Sequence, residues 1–266
     1  LFDSLCCRAS GFIVECLRNM ILNVEKIMDI EKSFNFPFED KEWITKLGVG
    51  ALITIVPILN FAWYGYIVGI MRNVMNDVPE PLPTWDDLGK KFTDGLILFA
   101  ASLVYALPIL IVFFMPLAIL AFSGRLSELR NLERISEAGG ILLACIVCVF
   151  VLYSIALSAI YPAILILFSR EGTFASCFKL HAAFDLISGN MGPFFTAWGL
   201  SLAASFGVGL VIGLISTILG LIPCLGQLIS LLLSLAAGVY IAAVYAHLFG
   251  QFGRAAFGQN QLATTG

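Results

Sequence analysis

Four stretches of this chain contain no Asp, Glu, Lys or Arg: residues 47–71, 96–124, 138–169 and 191–253. A helix crosses the hydrocarbon of a bilayer in about 20 apolar residues, and in lipid every backbone N–H and C=O must be satisfied within the protein. Such stretches confine the chain to helices in a membrane. Residues 96–124 and 138–169 are each long enough for one tilted span, with Pro108, Pro116 and Pro162 tolerable as kinks. Residues 191–253 are long enough for two. Their break is "GLIPCLG", where Pro223, flanked by glycines that include Gly226, ends one helix and permits a tight reversal. Helices are therefore expected near 193–219 and 225–250. At 59% hydrophobic and 12% charged residues, one soluble core could not hide this much apolar surface.

The first stretch, "LGVGALITIVPILNFAWYGYIVGIM", is interrupted at its middle by Pro57 and Asn60. It can cross once as a kinked helix or dip in and return as a hairpin, and the distribution of cations arbitrates. Successive hydrophilic segments hold Lys32, Lys41 and Lys46; Arg72, Lys90 and Lys91; Arg125, Arg130 and Arg134; Arg170 and Lys179; none; and Arg254. A single crossing divides these six against six, whereas a hairpin divides them nine against three. The hairpin is the expectation, with the N-terminus, residues 78–87, residues 170–190 and the C-terminus all cytoplasmic.

"VPEPLPTWDD" (residues 78–87) is an acidic, proline-rich elbow between two apolar segments. Pro79, Pro81 and Pro83 stiffen it toward an extended polyproline conformation, and Trp85 suits the headgroup layer. Thr84 or Asp86 is expected to cap the next helix, with Asp86 and Asp87 facing Lys90 and Lys91 one turn on. Residues 1–27 lack an initiator Met and place Arg18 where a signal peptide should be apolar, so Met28 is the expected start. Residues 28–256 read as one polytopic domain, with "MDIEKSFNFPFEDKEW" as a cytosolic lead-in, and 257–266 as a short disordered tail.

The run from Phe36 through the elbow to "KKFTDGL", with "IPCLGQ" and "AHLFGQFGRA" further on, resembles a family of prokaryotic membrane proteins catalogued as domain of unknown function 4013. The resemblance implies several membrane helices with the elbow cytoplasmic, in the plasma membrane of a prokaryote. It implies no activity. "RLSELRNLERISEAGG" (125–140) departs from the family pattern. It repeats Leu or Ile every three residues and is expected as a charged amphipathic helix on the outer surface.

The sharpest helical pattern is Ala197, Ser201, Ser205, Gly209, Gly213 and Thr217, all small and all at i, i+4. Such a stripe lets another helix approach closely, within the chain or from a homo-oligomer or second membrane protein. "CIVC" (145–148) has no second pair or neighbouring His to make it a metal site, and His181 and His247 read as interfacial. Residues 173–187 form an amphipathic stretch that Thr173 can cap, expected along the cytoplasmic interface. Asn60 and Gln227 adjoin the two proline breaks, where unwound backbone could line a solute site.

No nucleophile, acid–base pair, metal set or cofactor motif emerges, and with a net charge of -3 nothing favours nucleic acid. The expectation is an all-α integral membrane bundle of about four full spans, an N-terminal hairpin (or fifth span) and interfacial amphipathic helices. In function it reads as a non-enzymatic scaffold, assembly or membrane-organising subunit that contacts membrane lipid and needs no cofactor. A facilitative carrier or channel for a small neutral solute or lipid is the alternative.

Overall fold

The computed structural model describes residues 28–122 and 137–264. Within them the chain forms α1 (Ile30–Glu39), α2 (Trp43–Ile55), α3 (Asn60–Met75), α4 (Leu88–Phe122) and α5 (Glu137–Glu171). A 3-10 turn (Phe174–Phe178), α6 (Leu180–Gly189), α7 (Met191–Leu219) and α8 (Leu225–Thr264) complete it. Four helices are long and apolar enough to cross a membrane, over Leu88–Val112, Ala144–Glu171, Met191–Leu219 and Leu225–Gly258. The protein is an all-α membrane bundle. The leader expected at 1–27 and most of the charged segment at 125–140 lie outside the described residues, while the expected boundary at 256 falls inside α8, which continues to Thr264.

Residues 47–71 fold as a hairpin. Val56 and Pro57 break the helix, and the chain doubles back so that Gly50 of α2 faces Trp63 of α3; an added Cβ there would stand 2.6 Å from the indole ring. Phe61 lies 5.8 Å from Phe92 and 4.9 Å from Phe99, centroid to centroid, so the tip reaches only the first third of α4. Helices of 13 and 16 residues at a rise of about 1.5 Å per residue are too short to cross and return. Ile55, Ile58 and Leu59 at the tip are exposed, as a hairpin dipping into lipid requires.

The core sits at one end of the bundle, with α3 at its centre. Tyr66, Ile70, Met71, Phe168, Phe194, Phe249 and Phe252 are fully buried there, while the far halves of α4, α5, α7 and α8 expose large apolar side chains. The lead-in, the elbow, the segment after α5 and the end of α8 all meet at this end. Asp29 N–H donates to Gln251 Oε1 (2.7 Å), Arg254 pairs with Asp77, and Arg170 lies over the Phe257 ring at 4.1 Å. At the other end, Pro223 and Cys224 make the α7–α8 reversal, with Cys224 at φ 62°. Gly226 fits only as glycine, since a Cβ would stand 1.9 Å from the Leu219 carbonyl oxygen.

Three local expectations are corrected. The lead-in itself is helical and packed: α1, capped by Asp29, buries Phe36 beside His247 of α8, and Met28 just before it is buried too. Thr84 and Asp86 do not cap α4; Asp87 does, its carboxylate accepting from Lys90 N–H at 3.1 Å. Among the described residues no ion pair joins Asp86 or Asp87 to Lys90 or Lys91, because Asp87 is committed to the helix end. Thr173 does not cap through its side chain; its carbonyl accepts from Ser176 N–H and Oγ, so the stretch divides into the 3-10 turn and α6.

Candidate functional site

The elbow turns out to be a strap rather than a free surface. Leu82 is buried, Pro83 fills the space over Gly69, and Asn73 Nδ2 donates to the Pro81 carbonyl at 3.0 Å. Trp85 does not reach toward headgroups. Its ring stacks on Tyr66 at 4.4 Å, Tyr66 stacks in turn on Trp63 at 5.3 Å, and its indole N–H donates to the Lys46 carbonyl at 2.8 Å. A carbonyl near the start of a helical hairpin and an indole 39 residues later are thus joined, which fixes the hairpin's exit. Pro79, Asp86 and Asp87 remain exposed.

His247 is also not interfacial. It is buried, stacked on Phe36 at 4.3 Å, with Nδ1 3.0 Å from Ser33 Oγ and 3.1 Å from Gln251 Nε2. Gln251 further donates to the Asp29 carbonyl at 3.1 Å. A Ser–His pair can suggest nucleophilic chemistry, but this Ser33 is fully buried within a helix and its hydroxyl already has the Asp29 carbonyl as a partner. The cluster clamps α1 to α8. His181 is exposed beside Asp185, and among the described residues no three His, Cys, Asp or Glu side chains converge. Cys145 and Cys148 lie exposed on α5.

A groove of about 480 Å³ lies between the apolar helices α5 and α7, floored by Tyr245 of α8. Helix α5 supplies Ser154, Leu157, Ser158 and Tyr161, and α7 supplies Trp198, Ser201, Leu202 and Ser205. Both sets follow i, i+3, i+4, i+7, one face of each helix. The Trp198 indole bridges the walls, donating to the Ser158 carbonyl at 3.1 Å. The serine hydroxyls are spent locally: Ser158 on the Ile155 carbonyl (2.8 Å), Ser201 on Trp198 (2.8 Å) and Ser205 on Ser201 (2.7 Å). With these three serine hydroxyls spent on the helix backbone, the groove presents small, weakly polar walls, suited to a helix or an acyl chain.

The small-residue stripe runs along this wall and beyond it. Ala197 and Ser201 are buried, but Ser205, Gly209, Gly213 and Thr217 are exposed, and a Cβ added at Gly209 or Gly213 would meet nothing within 4 Å. The half-buried face of α7 is instead Ala204, Val208, Ile212 and Ser216, with Ser230 of α8 donating to Ser216 at 2.6 Å. Sequence reasoning thus found one wall of the groove and missed the other, although the Ser154, Ser158, Tyr161 spacing on α5 signals it. Asn60 lies at the hairpin tip and Gln227 in the first turn of α8; neither lines this groove.

A family model described as "Protein of unknown function (DUF4013)" matches residues 49–219, from the hairpin through the end of α7. No curated protein and no solved structure matches the chain.

Proposed function

The chain belongs to the DUF4013 family of proteins of unknown function, and from that premise we propose that it is a non-enzymatic scaffold which assembles with a second copy or another membrane protein along the outer face of α7. One observation carries this reading. The stripe's outer glycines have open space where a Cβ would go, and the groove at Ser201 and Ser205 extends the same surface. In lipid there is no hydrophobic drive between helices, so close backbone approach over small residues is what stabilises their contact. The cation distribution supports a cytoplasmic core end, with the elbow and the lead-in on that side, and the family resemblance supports the plasma membrane of a prokaryote. Membrane lipid is the remaining partner; nucleic acid is not one.

The test is Gly213→Leu in the full chain, with Gly207→Leu on another face of α7 as control. Loss of assembly in mild detergent for Gly213→Leu alone is expected; unchanged assembly counts against the scaffold. The second reading is a carrier or channel for a lipid or small neutral solute, and the open groove favours it. Cysteines placed at Ser154 and Ser205 discriminate. A solute path requires polar thiol reagents to reach both.

A further inference from the structure

We propose that the converging ends of α3, α5 and α8 form a binding site for a phosphate group at the membrane surface. A pocket of about 380 Å³ is lined there by Arg72, Arg170 and Arg254, one from each helix, with Asn76 and Ser169 beside them and Met75 and Phe257 as an apolar wall. Among the described residues, no carboxylate lines it. Arg72 is held in place, Nε donating to the Ser169 carbonyl at 2.9 Å and Nη1 to Asp94 Oδ2 at 3.3 Å, and Arg254 pairs with Asp77. Arg170 differs from both. Its guanidinium lies on the Phe257 ring at 4.1 Å and, among the described residues, has no carboxylate partner. Stacking covers one face of the guanidinium and leaves its edge donors free. Two of the three charges are compensated by Asp94 and Asp77, so the pocket keeps one uncompensated cation.

A second, independent observation points to a ligand. Ser169, which lines the same pocket, is 1% exposed and carries a buried hydroxyl with no hydrogen-bond partner among the described residues. Arginines that merely snorkel to an interface explain Arg72 and Arg254, which have partners, but neither the unpaired Arg170 nor the unsatisfied serine. Planar guanidinium edges match phosphate oxygens bidentately. Arg170 and Arg254 also stand at the ends of spans, at the height of lipid headgroups. The phosphate can therefore belong to an anionic lipid or to a soluble compound.

The experiment uses the full chain purified in detergent, as wild type, Arg170→Gln, Arg170→Lys and the charge control Lys41→Gln. Retention of phosphatidylglycerol against phosphatidylcholine is read by native mass spectrometry, and melting is followed in inorganic phosphate. Arg170 is exposed at a helix end, so Arg170→Gln without ligand should melt with wild type. Wild type should hold phosphatidylglycerol about tenfold better than Arg170→Gln, with Arg170→Lys between and Lys41→Gln unchanged. That result without a phosphate-dependent melting shift assigns a lipid headgroup. An Arg170-dependent shift in phosphate without lipid preference assigns a soluble phosphate compound. Equal retention by all four proteins with no phosphate-dependent shift overturns the site, whatever the outcome at Gly213.

Discussion

Helices α3 and α4 cross backbone against backbone at Gly65 and Gly95, and Gly95→Ala probes that crossing. A Cβ at Gly95 would stand 1.7 Å from the Phe61 carbonyl oxygen, and one at Gly65 would stand 1.8 Å from that of Lys91. Positions 61 and 65 on one helix thus meet 95 and 91 on the other, backbone against backbone. No rotamer change relieves such a clash, so the helices must part until 1.7 Å becomes at least 3.0 Å. Parting them loosens the Phe61–Phe99 ring packing and the Arg72–Asp94 pair. Alanine in place of glycine favours a helix by about 1 kcal/mol, whereas overpacking against an unyielding wall costs about 1–3 kcal/mol or more. Because the ring packing and the ion pair weaken at the same time, a net destabilisation of about 2–4 kcal/mol is expected. At about 2–4 °C per kcal/mol for a chain of this size, Tm falls by roughly 5–15 °C. The assay is thermal circular dichroism in one detergent. Gly207→Ala, where the new Cβ meets nothing within 4 Å, serves as control and should hold or raise Tm. If Gly95→Ala melts at or above wild type, the helices are not in backbone contact and the reasoning fails.

Four further outcomes are expected. Lys46 is 7% exposed and held to Asp40 at 2.6 Å, so Asp40→Ala leaves this buried cation with only the exposed Glu42 at 4.0 Å and should cost about 3–5 kcal/mol in the same melts, with Asp40→Ala/Lys46→Leu recovering most of it. Gln251→Leu leaves the Asp29 amide and carbonyl without their α8 partner, at about 1–3 kcal/mol; α1 should loosen and trypsin should cut after Lys32 faster, and an unchanged cleavage rate would show that the clamp is not the tether. Burial pushes the Cys177 thiol up to about 11, so it should resist maleimide at neutral pH and gain reactivity only as the medium becomes strongly alkaline. Cys224, exposed in the α7–α8 turn, should react readily. With Cys6, Cys7 and Cys16 replaced by Ser, labelling of Cys224 by an impermeant maleimide from outside intact cells is the expected result, and labelling only in inverted vesicles would reverse the proposed orientation.

Much of the architecture was legible in the chain because the bilayer leaves a helix few choices. Charge-free length gave four spans, Pro223 beside Gly226 gave the reversal, and the cation pattern separated hairpin from single crossing. These are local or one-dimensional properties. What the sequence concealed depends on which helix faces which. Trp85 looked interfacial because an amphipathic ring before a span usually is, yet it stacks on Tyr66 and its indole N–H donates to the Lys46 carbonyl of the hairpin. His247 looked like a helix-end residue until α1, far away in sequence, supplied Ser33 and Phe36 to bury it. The stripe on α7 was legible as a run of small residues on one face, but periodicity fixes only the relative angles of side chains on one helix. Which face turns toward α8 is settled by packing, and α7 turns Ala204, Val208 and Ile212 that way, leaving Gly209 and Gly213 outward. Sequence alone determined that this chain is a helical membrane protein with four long apolar helices, because hydrophobic length and backbone satisfaction act along the chain. Tertiary structure alone decided the groove, the clamp and the three-arginine pocket, because each is assembled from residues that share no sequence neighbourhood.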